Sequence, residues 1–365
     1  MRRVREWLAN AAVSVGSIVL FLALCELVVF RVIWQGSDVP ANAFVGGLMR
    51  FVPNQTGVWR VRNEIAALYS VNQQGWNSGS GDYATMRREG VERIAVVGDS
   101  FVESLQVAHD RSFGDILARE RGGAEALRFA ISGAPMSGYL HMVEQEVEQY
   151  RPDWLVVLLV HNDFDESFRF KQGRYTSSFR KLIVENGRVV GETGPDPWRP
   201  GPVEWLRRTA TARFLLYRWQ VRPQALVDLF LPAARARGRF EANVAVGEVL
   251  SKEADVRAVT DYVTGRLSER ANDIKTRLLI LMDGDRAAIY AGRSGSEALR
   301  LNRIAAEAAA RHGVEFLDLH QVFAADWQAN GQRFEFASDA HWNEHGHAVV
   351  ARAVATAMRE VAEQR

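Results

Sequence analysis

The chain is poor in the residues that staple or metallate small proteins. Its 365 residues hold one cysteine, Cys25, so an intramolecular disulfide and a Cys/His zinc framework are both excluded. Lysine occurs only at 171, 181, 252 and 275; the rest of the positive charge is arginine, which we read as the bias of a GC-rich bacterial genome and not as a function. The formal net charge is +1, too small a basic field to hold nucleic acid. No Gly-x-Gly-x-x-Gly follows the first candidate strand, which disfavours a nicotinamide enzyme. No internal repeat is visible. What is present, 47% hydrophobic and 24% charged residues, is globular composition, enough for one large domain or two small ones. A disordered or collagen-like chain is excluded.

One long apolar run stands at the start. Arg2, Arg3 and Arg5 precede an uncharged stretch from Ala11 to Cys25, and apolar residues resume after Glu26 as far as Ile33 and Trp34. Residues 11–33 supply the roughly 20 positions that a spanning helix needs, and are read as an uncleaved transmembrane anchor. Glu26 and Arg31 would each cost about 2.5–3.5 kcal/mol at mid-bilayer. They lie near the end of the run, within reach of the far interface, where Trp34 is an anchor. Residues 1–10 then stay in the cytoplasm and everything after residue 34 faces outward, into the periplasm of a bacterial inner membrane. Three alternatives compete. The run also fits a signal peptide cleaved at Ala41-Asn42-Ala43, although that site lies far beyond it. Leu22-Ala23-Leu24-Cys25 has a lipoprotein-box outline, spoiled by the bulk of Leu24. A buried first helix of a soluble protein is the third.

Residues 34–90 form a turn-rich lead-in. Asn54-Gln55-Thr56 within it matches a glycosylation sequon, read as chance in a bacterial chain. From residue 91 short apolar runs alternate with helical stretches. Candidate strands are 94–97, 127–131, 154–160, 278–282 and 314–317; candidate helices are 111–121, 137–150, 256–273, 296–312 and 344–362. Continuous apolar strands in this alternation predict a parallel sheet covered on both faces. The domain is therefore expected in two pieces, 91–164 and 255–365. Residues 165–254, rich in Gly, Pro and Arg and carrying Trp198, Trp205 and Trp219, are read as an insertion after strand three, over the carboxyl edge of the sheet.

Ligands of open α/β sheets bind beyond the carboxyl ends of the strands, so the polar residues there carry the chemistry. Strand one ends Gly98-Asp99-Ser100, strand two Ile131-Ser132-Gly133, and strand three His161-Asn162-Asp163. Ser338-Asp339-Ala340-His341-Trp342-Asn343 opens the last helix. Together these make a serine hydrolase. Ser100 is the candidate nucleophile at a helix start, His341 the base, and Asp339 the group that sets its tautomer. The amides of Ser100 and Gly133 with the Asn162 side chain are candidate oxyanion donors, each typically worth about 2.7–4 kcal/mol in the transition state. Singly the motifs are weak, since Gly-Asp-Ser alone arises by chance in roughly one chain in ten of this length. All of them at strand ends or helix starts, in consistent order, is a strong signal.

These residues resemble the SGNH (GDSL-type) hydrolase superfamily. Gly98-Asp99-Ser100-Phe101 is similar to its first block, Ile131-Ser132-Gly133 to the second, Asn162-Asp163 to the third, and Asp339 with His341-Trp342-Asn343 and Gly346 to the last. Val71-Asn72-Gln73-Gln74-Gly75-Trp76 resembles the lead-in of membrane-anchored bacterial members. The resemblance implies a flavodoxin-like three-layer α/β/α sandwich with a five-stranded parallel sheet, and hydrolysis or transfer of small acyl esters without metal or other cofactor. Two positions depart from the family pattern. Val160 stands where a glycine is usual, narrowing the pocket floor, and Ser338 occupies the usual place of the acid. Asp339, two residues before His341, has the spacing of polysaccharide O-acetyltransferase relatives; were it to point away, the enzyme would be a Ser-His dyad.

Plainer roles fit the neighbouring residues. Asp99 and Asp163 are read as turn-holding side chains, His161 as packed or pocket-lining, and Glu26 as interfacial. His341, His345 and His347 cluster in sequence, but the glutamate of a His-Glu-x-x-His zinc motif is missing, so no metal is expected. The tryptophans of the insertion suit sugar stacking or simple packing. The expected function is a serine esterase acting on small, O-acetyl esters of cell-envelope or exported polysaccharide. The alternatives are an O-acetyltransferase working with a membrane acetyl-donor protein, a lipid-directed esterase, and a binding protein that keeps the fold without turnover.

Overall fold

A computed structural model describes residues 2–170, 174–221, 240–241, 244–293 and 295–363. Five parallel strands form the central sheet: β1 (Arg93–Gly98), β2 (Glu125–Ala130), β3 (Trp154–Leu159), β4 (Arg277–Met282) and β5 (Glu315–Asp318). Their spatial order is β2-β1-β3-β4-β5, the flavodoxin-like arrangement. Every residue of β1 and β3 is buried, which is why their sequences read as unbroken Val, Leu and Ile runs. Full burial of one such side chain stabilises the fold by about 1.5–3 kcal/mol.

Helices cover both faces. On one side α1 (Phe113–Glu120) packs against α6 (Glu344–Glu363), which also meets α5 (Leu319–Asn330); on the other α3 (Glu253–Asp273) packs on α2 (Met136–Gln145) and α4 (Leu299–Arg311). Phe101, Phe113, Phe323, Phe334 and Trp342 fill the core of the first side, with Trp342 in edge contact with Phe101, Phe113 and Phe323. This is the three-layer sandwich expected. The chain winds to one side from β1 to β2 and to the other from β3 onward, so the switch point lies at the carboxyl ends of β1 and β3.

Several elements were not legible beforehand. The lead-in contains short strands at Asn42–Val45, Leu48–Phe51, Thr56–Val61 and Ile65–Ser70; in the last, burial alternates but the exposed positions are Ala66 and Leu68, so no polar alternation shows in the sequence. Helix α5 follows β5 without a break; Asp318 ends the strand and caps the helix, accepting from the His320 amide at 3.0 Å. In the insertion, Lys181–Glu185 and Arg188–Thr193 form an antiparallel hairpin. Its turn is Asn186-Gly187 with both residues at positive φ, the signature of a two-residue hairpin.

The chain divides into two compact units: residues 1–39, 58–66 and 200–234, and residues 40–57, 67–199 and 235–365. The second contains the sheet and the near part of the insertion. The first contains the N-terminal helix and the far part. That helix is long and apolar enough from Arg3 to Ile33 to cross a membrane or to serve as a signal sequence. Residues 171–173, 222–239 and 242–243 of the insertion lie outside the described residues.

Candidate active site

Ser100 sits at the turn from β1 into a single helical turn, Ser100–Glu103. The turn is tight: a Cβ on Gly98 would lie 2.5 Å from Val102 Cγ2. Asp99 is buried and caps it, its Oδ1 accepting from the Phe101 amide at 3.0 Å, as a turn-holding residue should. His341 comes from the loop before α6. That loop is held by the Trp342 indole donating to Asp283 Oδ1 at 3.2 Å and by Arg286 donating to the Ala340 carbonyl at 3.0 Å. The Asn343 amide also donates to the Phe334 carbonyl, at 2.7 Å.

Across 241 positions of sequence these two elements meet. Ser100 Oγ lies 2.7 Å from His341 Nε2, and His341 Nδ1 lies 2.5 Å from Asp339 Oδ1. The same carboxylate oxygen accepts from the His341 backbone amide at 2.9 Å, so Asp339 grips both ring and backbone. Asp339 therefore points at the imidazole despite its two-residue spacing. With Nδ1–H given to Asp339, Nε2 is left to accept the Ser100 proton.

The charges of the three groups are coupled. Burial alone would lower the His341 imidazole, but the hydrogen bond and charge of Asp339, aided by Asp99 and Glu103, outweigh it and its pKa is raised. Burial would raise Asp339, and the His341 partner outweighs that, holding it below the usual carboxylate range. Asp99 behaves oppositely: burial pushes it up to about 6.

Gly133 and Asn162 flank Ser100 through sheet register. Gly98 pairs with Ala130 of β2, and Val97 with Val157 of β3, so the loops after β2 and β3 leave the sheet on either side of Ser100. Neighbouring strands lie about 4.8 Å apart. Gly133 has φ +76°, a backbone form that favours glycine. The amide N–H groups of Ser100 and Gly133 make no hydrogen bond to a protein acceptor among the described residues. Asn162 Nδ2 lies 3.5 Å from Glu166 Oε2, a contact too long to hold the amide firmly. Asp163, fully buried, accepts from the Tyr139 hydroxyl at 2.9 Å and the Val160 amide at 2.8 Å. It ties the β3 end to α2 and is a structural residue. Val160 is buried in the core.

The other histidines go elsewhere. His345 contacts Asp326 Oδ2 at 2.7 Å, buried His347 accepts from the Phe113 amide at 3.2 Å, and buried His161 contacts Asn302 at 3.0 Å. Of the tryptophans in the insertion, Trp198 packs under the Arg174 guanidinium; Trp205 and Trp219 belong to the other unit.

Two residues at this site escaped the sequence reading. Glu103, buried behind Ser100, accepts from Ser132 N–H at 2.6 Å and Ser132 Oγ at 2.8 Å. Burial pushes its carboxyl up to about 7, against the opposing Ser132 bonds. Tyr175 of the insertion donates its hydroxyl to the Ser132 carbonyl at 3.1 Å. In a trans peptide C=O and N–H point in opposite directions, so this bond and the Glu103 clamp set where the Gly133 N–H aims. An acid one helical turn after Ser100 was a readable signal for Glu103; nothing in sequence marked Tyr175.

Residues 96–349 match the model of the GDSL-like Lipase/Acylhydrolase family. No curated relative matches the chain. Among solved structures, the chain is similar to a lipolytic G-D-S-L family protein of Veillonella parvula, with 13% identity, TM-score 0.37, and coverage of 72% of this chain and 95% of that one. It is also similar to a lipase/acylhydrolase of Enterococcus faecalis, with 12% identity, TM-score 0.38, and coverage of 73% and 96%. An acetylxylan esterase of Geobacillus stearothermophilus gives 11% identity, TM-score 0.37, and coverage of 74% and 96%. These likenesses are distant, and the family match is the stronger finding.

Proposed function

Because the chain belongs to the GDSL-like lipase/acylhydrolase family and is an ester-hydrolysing enzyme, we propose that Ser100 is its nucleophile, His341 its general base and acid, and Asp339 the group that orients His341. The observation that carries this reading is the continuous chain from Ser100 Oγ to His341 Nε2 at 2.7 Å and from Nδ1 to Asp339 at 2.5 Å. Ser100 Oγ attacks the ester carbonyl while its proton passes to Nε2. The resulting oxyanion is held by the Ser100 and Gly133 amides and the Asn162 side chain, which leaves Glu166 to reach it. The carbonyl re-forms, the C–O bond to the alcohol breaks, and His341 returns the proton to that alcohol. Water, deprotonated by His341, then cleaves the acyl-serine, releasing the acid and restoring the Ser100 hydroxyl.

The substrate we infer is a small acyl ester, an O-acetyl group on cell-envelope or exported polysaccharide. It is reached from a periplasmic domain held by an N-terminal anchor in the inner membrane. Two features support it: the anchor-length helix and the Asp-x-His spacing, similar to polysaccharide O-acetyltransferase relatives. That spacing also favours a second reading, in which a sugar hydroxyl replaces water and a membrane protein supplies the acetyl group. The test is hydrolysis of aryl esters of graded chain length, with Ser100→Ala and His341→Ala alongside, and intact-mass detection of acyl-Ser100. Acetyl-restricted turnover lost in both variants is expected. Preference for long chains would overturn the acetyl reading, and turnover surviving Ser100→Ala would overturn the nucleophile.

A further inference from the structure

The insertion carries a small surface whose exposure makes little sense in water. In the helix Pro202–Arg207, Val203, Trp205 and Leu206 are 60%, 67% and 66% exposed, while Glu204 on the opposite face is buried and paired with Arg207 at 3.1 Å. Trp219 and Leu215, further along, are also exposed. Exposed large apolar side chains gathered in one short stretch mark a binding surface.

What lies beside this stretch, within the same compact unit, is the end of the N-terminal helix. Glu26, the carboxylate inside the apolar run, accepts from the Ala210 amide at 2.7 Å, the Thr211 amide at 2.9 Å and the Thr211 hydroxyl at 3.0 Å. Phe214 stacks on Phe30 at 4.5 Å and on Trp34 at 6.3 Å between ring centroids. Arg218 donates to the Gln35 carbonyl at 2.6 Å, and Arg213 pairs with Asp38. The segment is thus locked to the last turns of the helix. In a spanning helix those turns, with Trp34 among them, lie at the membrane–water boundary, and so does whatever is docked on them.

We propose that residues 202–219 form a second membrane contact, an interfacial foot whose Val203, Trp205 and Leu206 enter the headgroup and upper acyl region of a phospholipid bilayer. Its composition suits that layer: tryptophan and aliphatic side chains on the exposed face, with Arg208, stacked on Trp205 at 5.4 Å, for lipid phosphates. Glu26 is then the clamp that joins foot to anchor, accepting from the start of the Ala210–Ala212 turn and, at 3.4 Å, from Arg31 of its own helix. The proposal rests on the reading of residues 11–33 as a membrane anchor, and the experiment separates the two.

The full chain is placed in nanodiscs of phosphatidylcholine and phosphatidylglycerol, with bromine on the upper part of an acyl chain as a contact quencher of tryptophan. The Trp205 signal is taken as the difference between the protein and Trp205→Phe, and the Trp34 signal as the difference from Trp34→Phe. Both are expected to be quenched by brominated lipid, with Trp205 shielded from aqueous acrylamide. Quenching of Trp34 without Trp205, and acrylamide reaching Trp205, would overturn the foot and leave the anchor standing. A Trp205 shielded from both quenchers would also overturn it, showing a protein surface as the occupant. Loss of quenching at both residues would remove the anchor and the foot together. In Glu26→Ala, which cuts the clamp without touching the exposed face, the Trp205 quenching is expected to fall while that of Trp34 persists.

Discussion

Two glutamates, one in each compact unit, perform the same operation with different consequences. Glu26 accepts from two backbone amides and a threonine hydroxyl at 210–211; Glu103 accepts from the amide and hydroxyl of Ser132. Each ties its own segment to one far along the chain. Glu103 sits one helical turn from Ser100, the proposed nucleophile, so what it holds is the loop that presents the Gly133 N–H. Glu26 sits in an apolar helix, so what it holds is the part of the insertion that accompanies that helix. The identity of the side chain and its bonding pattern therefore do not decide its role. Position relative to Ser100, the proposed nucleophile, does.

The largest expected effect comes from removing the groups proposed to react beside Glu103. Ser100→Ala or His341→Ala should lower kcat/KM on an aryl acetate by at least about 10⁴-fold, and the double variant should lose little more, because the two act as a unit. Asp339→Asn follows, with a loss of order 10²–10⁴ as the imidazole loses its orienting partner. The pH profile carries the sign. His341 must be neutral to accept the serine proton, so activity rises with pH through its pKa, which lies above the ordinary histidine value. In Asp339→Asn burial remains and the opposing carboxylate is gone, so the ascending limb of kcat/KM should move to lower pH. A limb that stays in place would remove His341 as the titrating group.

Smaller effects separate the clamp from the reacting groups. Glu103→Ala leaves the Ser132 amide without its partner, a cost of about 1–3 kcal/mol in the fold. It should lower kcat by on the order of 10-fold while leaving KM close to that of the parent, because the misaimed donor is needed only where the oxyanion forms, in the transition state. Glu103→Gln, which keeps one acceptor, should recover part of that loss; an equal loss in both would point to charge as the operative property. Gly133→Ala isolates the backbone. A Cβ there meets nothing within 4 Å, so its cost is the positive φ alone, about 1–2 kcal/mol. Thermal unfolding and kcat measured together read both parts. At the small end, Tyr175→Phe removes one bond to the Ser132 carbonyl and should change kcat by only a few fold, near 1 kcal/mol.

Much of the catalytic unit was legible because its signals are local. Unbroken apolar strands such as Trp154–Leu159 announce burial on both faces, and each candidate catalytic residue follows a strand end or precedes a helix by a few positions. The short strands of the lead-in and helix α5 gave no such period. Asp339 was legible as a candidate acid, yet whether a carboxylate two residues from His341 can reach the ring depends on how the loop is pinned by Trp342, Arg286 and Asn343. Glu26 was visible as a charge out of place, and its partners in the insertion lie about 185 positions away.

Fold class, family and the candidate triad and oxyanion residues were readable along the chain, because strand and helix periods and short motifs are encoded within a few turns of it. Which of those residues meet is a matter of packing. It brought Ser100 to His341, turned Asp339 inward, set Glu103 and Tyr175 around Ser132, and gave Glu26 to the insertion instead of to solvent. Hydrogen bonds act over about 3 Å, while the partners lie tens to hundreds of residues apart, and a one-dimensional pattern holds no record of which distant groups the packing will bring within that distance.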